Sequence, residues 1–350
     1  MQPEIDRATA ASTTSRKADH LRINIERDVR GKGVDAGFDR YRFVPNAAPE
    51  MALRDVDLGS EHFGRALRAP ILISCMTGGT AEARRINRGL ATVAQTFGFA
   101  MGLGSARVLI ERPETVESFA VRNIAPDILL FANLGAVQLN KGFGAQECLR
   151  LVDALKADAL VLHLNALQEA LQPEGDTDFS GLLGKIEAVC KALPVPVVVK
   201  EVGWGLDAAT VRALFDAGVR GVDVAGAGGT SWSEVERHRM DEAWRARVAE
   251  SFAGWGIPTA ECVKQARAVA PGEFVIASGG IRDGMDAAKS IALGADVAGI
   301  AGPFLRAVDQ SVDDAFAFAQ VVTETLRIAM FALGARTIAD LQSTPRLVLS

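Results

Sequence analysis

The chain has 350 residues, 49% of them hydrophobic, and a formal net charge of -5. That length is generous for one ordinary domain and normal for an α/β barrel carrying insertions. The acidic balance and the lack of any Lys/Arg block exclude the field of a nucleic-acid or membrane-surface binder, so the expected partner is a small molecule. An anionic partner must then be held locally, by a few cations, backbone N–H groups or a metal. Four cysteines, Cys75, Cys148, Cys190 and Cys262, stand far apart with no C-x-x-C pair and no histidine at zinc-ligand spacing. They read as reduced core thiols of a cytoplasmic protein.

In chain order, residues 1–15 are rich in Ala, Ser and Thr, lack the basic start and apolar stretch of a signal peptide, and are expected to be a disordered tail. No apolar run is expected to reach bilayer-spanning length. Residues 16–70 form an N-terminal extension over the barrel, with Asp39–Val44 and Leu53–Leu58 expected to pair as a small lid. Eight short apolar runs follow: Ile71–Met76, Phe99–Gly104, Asp127–Leu134, Ala159–Asn165, Val195–Val202, Gly221–Gly226, Phe274–Gly280 and Val297–Gly302. Near-continuous Val/Ile/Leu runs are what a parallel sheet buried on both faces requires. One helix is expected in each gap, clearest at Leu149–Leu155, Ala208–Ala217 before Gly218 and Gly284–Leu293 before Gly294. Of the doubly wound sheet and the closed barrel, eight similar units favour a (β/α)8 TIM barrel, a single domain over 16–350. The long stretch from Gly226 to Phe274 reads as a helical excursion near the mouth.

Several constellations carry chemistry. Ser278-Gly279-Gly280-Ile281-Arg282 after strand seven and Ala301-Gly302-Pro303 after strand eight form a predicted phosphate cup. Backbone amides reach phosphate oxygens where side chains do not intervene, and these two loops are the recurrent phosphate site of such barrels. Met76-Thr77-Gly78-Gly79 and Gly104-Ser105-Ala106-Arg107 end strands one and two with small residues suited to a flat ring. Asn133 ends strand three. Lys200 lies inside a buried strand, where it needs a task or a carboxylate such as Glu201. His163 and Asn165 share a face at the end of strand four, with Gln168 and Glu169 just beyond. One carboxylate among neutral donors suits Mg²⁺ shared with a substrate phosphate. Arg16, Lys17 and His20 gather three potential cations, an anion clamp if the extension folds back onto the mouth. Gly226–Trp232, another glycine-lined loop, extends the floor. No G-x-S-x-G elbow supports Ser-His-Asp catalysis, and the scatter of glycines at Gly226–Gly229 lacks the context of a dinucleotide site.

Taken in order, R-K-x-D-H at Arg16–His20, M-T-G-G at Met76–Gly79, G-S-x-R at Gly104–Arg107, H-L-N-x-x-Q-E at His163–Glu169, Q-P-E-G-D at Gln172–Asp176, K-E-V-G at Lys200–Gly203, G-G-T-S-W at Gly228–Trp232 and S-G-G-I-R at Ser278–Arg282 resemble the FMN-dependent type 2 isopentenyl diphosphate isomerases. The resemblance implies interconversion of isopentenyl and dimethylallyl diphosphate in isoprenoid biosynthesis, with reduced FMN, NADPH as reductant and Mg²⁺ on the diphosphate. It places Met76, Thr77, Gly78, Ser105, Asn133, Lys200, Thr230, Gly279, Gly280, Arg282, Ala301 and Gly302 around FMN. It places Arg16, Lys17, His20, Ser105, Ala106, Arg107, His163, Asn165 and Gln168 on the substrate, Glu169 on the metal, and Gln168 and Lys200 in the catalytic role. Ala106 departs from the glutamine common in the family and removes a possible polar contact to substrate. A homo-oligomer, tetrameric or octameric, is also expected. An FMN-dependent 2-hydroxyacid oxidase shares the S-G-G-[IV]-R turn, but it needs a histidine base soon after strand six, where this chain has Gly228–Trp232. A flavin-binding protein without catalysis would leave the substrate cations and the metal carboxylate without purpose.

Overall fold

The computed structural model describes residues 18–350, so Arg16, Lys17 and the expected tail over 1–15 lie outside the described residues. Eight parallel strands close into a barrel: β1 (Ile71–Ile73), β2 (Ala100–Gly102), β3 (Leu130–Gly135), β4 (Ala159–His163), β5 (Val197–Lys200), β6 (Gly221–Asp223), β7 (Phe274–Ser278) and β8 (Val297–Ile300). Each pairs with its neighbours in sequence, and β8 closes on β1 through Ala298 opposite Ile71. Seven of the eight predicted runs contain their strand and extend past it, because the last residues turn outward to form the mouth; the third strand instead overruns its predicted end at Leu134 by one residue, to Gly135.

Helices Ala145–Leu155, Ala208–Asp216 and Gly284–Ala292 stand where their periodicity puts them. One helix per gap does not hold throughout. The β2–β3 connection has only Arg107–Glu111 and a 3-10 turn over Pro113–Ser118, whereas Trp232–Arg237, Ala243–Glu250 and Thr259–Val269 occupy the stretch between β6 and β7. Helix Val312–Leu333, 22 residues long with a hydropathy of 1.4 over its most apolar window, overturns the expectation that no run has membrane-spanning length and composition. It packs against Gly284–Ala292, Gly302–Gln310 and Ala81–Phe97 in the outer ring, and its buried face carries Ala315, Ala319, Val322 and Leu326.

The expected lid pairing is absent. Tyr41–Phe43 pairs instead with Leu347–Leu349, and Leu53–Asp55 is a 3-10 turn. The extension nevertheless meets both ends of the barrel: residues 20–39 line the mouth, and the hairpin Ser60–His62/Arg65–Leu67 closes the base. Phe63 (φ 51) and Gly64 (φ 74) give this hairpin the left-handed turn that suits two twisted strands. Phe63 packs edge-on against Phe274 and Phe131, 4.9 and 6.5 Å between centroids. Above that plug the interior is filled by Leu72, Phe131, Val161, Val198, Ile276 and Val297, the branched layers that make a barrel solid.

One buried device occurs twice, four strands apart. Before β3 and β4, Arg122 gives Nε to the Lys156 carbonyl (3.0 Å) and the terminal nitrogens to the carbonyls of Pro126 (3.1 Å) and Ile128 (2.9 Å) and to Asp158 (2.6 Å). Before β7 and β8, Arg267 likewise reaches Gly294 (2.7 Å), Pro271 (2.9 Å), Glu273 (2.9 Å) and Asp296 (2.8 Å). The same aspartate oxygens accept the N–H of Leu130 (2.9 Å) and of Val275 (2.8 Å). Each arginine thus caps carbonyls at a helix or loop end and ties two strand starts together.

Candidate active site

A cavity of about 930 Å³ opens at the carboxyl ends of the strands, roofed by residues 20–39. The roof is tied down by backbone bonds from Gly31 N–H to the Gly229 carbonyl (3.2 Å) and from Ser231 N–H to the Val29 carbonyl (2.8 Å). Of the sequence-selected residues within the described chain, all but Ala106 line this cavity. Ala106 is fully buried in the core and its amide is bonded to the Asn133 carbonyl at 2.8 Å. Its methyl faces apolar packing, which corrects its assignment as a substrate contact.

One wall is the glycine cup. Gly279 (φ 102) and Gly280 (φ 74) adopt left-handed backbone, and a Cβ on Gly279 would lie 2.1 Å from the Gly226 carbonyl oxygen. Helix Gly302–Gln310 starts at Ala301 with no side-chain cap, so its first amides remain for an anion, whereas the neighbouring helix at Gly284 spends its amides on Asp283. Arg306 lines the same corner and lies beside Gly302; sequence reasoning missed it. The Arg282 guanidinium turns to Asp286 (2.9 Å) and Asp39 (3.4 Å), which raises its proton affinity further. Gly78 has another explanation: a Cβ there would meet the Phe119 ring at 1.8 Å. A Gly279→Ala change, strained at its φ and clashing with Gly226, is expected to lower flavin affinity at least tenfold. Fluorescence titration of FMN checks it.

The opposite wall is polar. His163 Nδ1 donates to Asn133 Oδ1 at 2.8 Å. Asn165 Nδ2 donates to Gln168 Oε1 (3.3 Å) and Glu169 Oε1 (2.7 Å), while Asp176 N–H donates to Glu169 Oε2 (2.7 Å). Asn165 Oδ1 is buried and without a partner among the described residues. Arg107 stands at the rim between Glu111 (2.5 Å) and Asp176 (3.6 Å). Burial pushes the Asp176 carboxyl up, and Lys141, Gln138 and Arg107 reverse this to leave it lowered.

What stands behind Gln168 has no signal in the local residue pattern. Glu236, on helix Trp232–Arg237, is 1% exposed. It accepts from Gln168 Nε2 (3.1 Å) and Gln172 Nε2 (2.8 Å), and lies 2.9 Å from His20 Nε2 and 2.5 Å from Arg239. Burial pushes its carboxyl up, but His20, Arg239 and Gln168 outweigh this and bring it down to about 2. His20 also stacks edge-on against Trp232, 5.1 Å between centroids. On the floor, Lys200 is nearly buried beside Cys75, whose thiol burial pushes up to about 11. Glu201, the carboxylate weighed as its partner, has another occupation: Oε2 accepts the N–H groups of Val202 (2.7 Å), Gly203 (2.7 Å), Trp204 (2.6 Å) and Gly205 (3.2 Å).

This donor set fits the groups that the motifs imply. The uncapped helix start and paired left-handed glycines suit a flavin phosphate, and the orphaned Asn165 oxygen beside the Glu169 carboxylate suits a hard cation that keeps most of its ligands from water and substrate.

The FMN-dependent dehydrogenase family model matches residues 164–347. A mandelate oxidase solved with 2-hydroxy-phenylacetamide shares the fold, with a TM-score of 0.66 at 19% identity, covering 99% of this chain and 98% of that one. Much nearer in sequence are isopentenyl-diphosphate delta-isomerases. That of Nostoc sp. is 50% identical over 333 residues, covering 95% of both chains. That of Synechococcus sp. is 54% identical over 324 residues, covering 93% of both. The chain therefore belongs to the isopentenyl-diphosphate delta-isomerase family, FMN-dependent isomerases on a (β/α)8 barrel.

Proposed function

We propose that this chain interconverts isopentenyl and dimethylallyl diphosphate as a type 2 enzyme, with reduced FMN, Mg²⁺ on the substrate and NADPH as the reductant. The observation that supports the reading is one cavity lined at one end by the glycine cup at β7 and β8 and at the other by the polar wall at β2 to β4, which would serve as two separate anion seats. A flavin phosphate and a substrate diphosphate need both.

FMN, when bound, supplies an electron-rich ring that stabilises cationic character at the alkene and a nitrogen that exchanges the proton. The chain's own residues do the rest. Gly279, Gly280, Ala301 and Gly302 would hold the cofactor phosphate, and Met76, Thr77, Ser105, Asn133, Lys200 and Thr230 would line the ring. Arg107, His163 and Asn165 would take the diphosphate with Glu169 on its metal, joined by Arg16 and Lys17 from the segment ahead of His20. Gln168 would orient the alkene, its amide direction set by Glu236. The roof over 20–39 excludes water, which strengthens each of these contacts.

Glu169→Gln is expected to weaken Mg²⁺-dependent turnover at least tenfold while flavin binding stays intact, read by Mg²⁺ titration of activity beside the flavin spectrum. Loss of flavin, or an unchanged Mg²⁺ requirement, would place Glu169 elsewhere.

A further inference from the structure

Asp223 is a carboxylate in the barrel interior that the reaction, as assigned above, does not use. It is 2% exposed and does not line the cavity, whereas Lys200, opposite it on the adjoining strand, does. We infer that Asp223 is the counter-charge of Lys200, a positioning residue that holds the ammonium, and its charge, at the cavity floor. A lone ion buried in a barrel is costly, and removing one member of a buried pair strands the other.

The groups around Lys200 leave few candidates for that role. Cys75, after β1, stays a neutral thiol at neutral pH because burial pushes it up to about 11. His163, opposite Lys200 on β4, gives Nδ1 to Asn133. Glu201, just after β5, gives Lys200 Nζ only its neutral backbone carbonyl, while its carboxylate is surrounded by four backbone amides. Asp223 accepts only from Ser278 Oγ (2.6 Å) and from the Ala225 N–H (3.3 Å) among the described residues, so much of its charge is left for Lys200. Burial pushes its carboxyl up, and Lys200 is the largest influence opposing that rise. Ser278 on β7 fixes the carboxylate from the far side, so Asp223 and Lys200 are held by three adjoining strands.

The first test is a double-mutant cycle on the flavin-free chain with Lys200→Met, Asp223→Asn and both together, followed by urea denaturation. The counter-charge role predicts non-additivity: the double variant is at least tenfold more folded, at a fixed urea concentration, than the two single losses together predict. A single variant that fails to fold while the double variant folds gives the same answer. Additive losses overturn the inference.

The second test rests on the flavin reading above, because it takes Lys200 to lie by the ring. If Asp223 were merely a nearby negative charge, Asp223→Asn would make flavin reduction easier. As the residue that positions Lys200 it has the opposite effect, because without it the ammonium is displaced from the cavity floor. Reduction of bound FMN is therefore expected to become at least tenfold less favourable, ~30 mV lower for the two-electron couple. An unchanged or raised potential in the folded variant overturns the inference. Failure of the wild-type chain to bind FMN would sink the flavin reading, and the urea cycle would still decide the role of Asp223.

Discussion

Replacing Glu236 with glutamine is expected to lower the kcat of isomerisation by ~100-fold or more, the scale of a lost proton-handling or orienting group, with flavin still bound. The ionised carboxylate only accepts hydrogen bonds, and it receives Gln168 and Gln172 while lying against His20 and Arg239. A glutamine there turns one acceptor into a donor, so that the amide of Gln168 loses its fixed direction and Arg239 loses its counter-charge. The same carboxylate leaves a mark on stability. Lowered from 4.5 to about 2 in the folded chain, it contributes ~3 kcal/mol that is fully present above its unfolded value and is lost as pH falls through the folded one. Glu236→Gln is therefore expected to flatten the acid limb of stability between about pH 4.5 and 2. Wild-type kcat in the folded variant would show that Gln168 needs no orientation from behind.

The arginine clasps carry the second large effect. Arg122 is 14% exposed at its side chain, and its loss leaves the Lys156, Pro126 and Ile128 carbonyls without its donors and Asp158 with Arg65 (2.8 Å) as its remaining ion-pair partner. Arg122→Ala is expected to cost ~3 kcal/mol, the scale of leaving several carbonyls without their donors, with Arg267→Ala similar for the β7–β8 side. Because the clasps lie on opposite sides of the barrel, their losses should add within ~0.5 kcal/mol in the double variant. Denaturant midpoints test this, with flavin titration confirming that the mouth is intact. A loss under ~1 kcal/mol for both variants would mean that water caps those carbonyls equally well.

The barrel was legible because its strands are apolar on both faces and punctuated by glycine at their outer ends, a pattern that local residues dictate. The turn at Gly279 and Gly280 was legible for the same reason, since left-handed backbone leaves a trace in residue type. What stayed hidden depends on distant segments meeting. Glu234 and Glu236 sit in a run of charges that reads as solvated, yet both are buried under the roof. Asp223 reads as a strand residue with nothing to link it to Lys200, because the two stand opposite each other only through the pairing of separate strands. Tyr41–Phe43 pairs with residues near 348, a register that no local pattern reveals. Ala106 was misplaced because motif spacing gives neighbours along the chain and not the direction of a side chain.

The most direct test is anaerobic incubation of the purified chain with FMN, NADPH, Mg²⁺ and isopentenyl diphosphate. The account predicts dimethylallyl diphosphate in many turnovers per flavin, with NADPH consumed only to reduce the flavin once. No product from the chain with reduced flavin bound, or NADPH consumed in step with product, would contradict it.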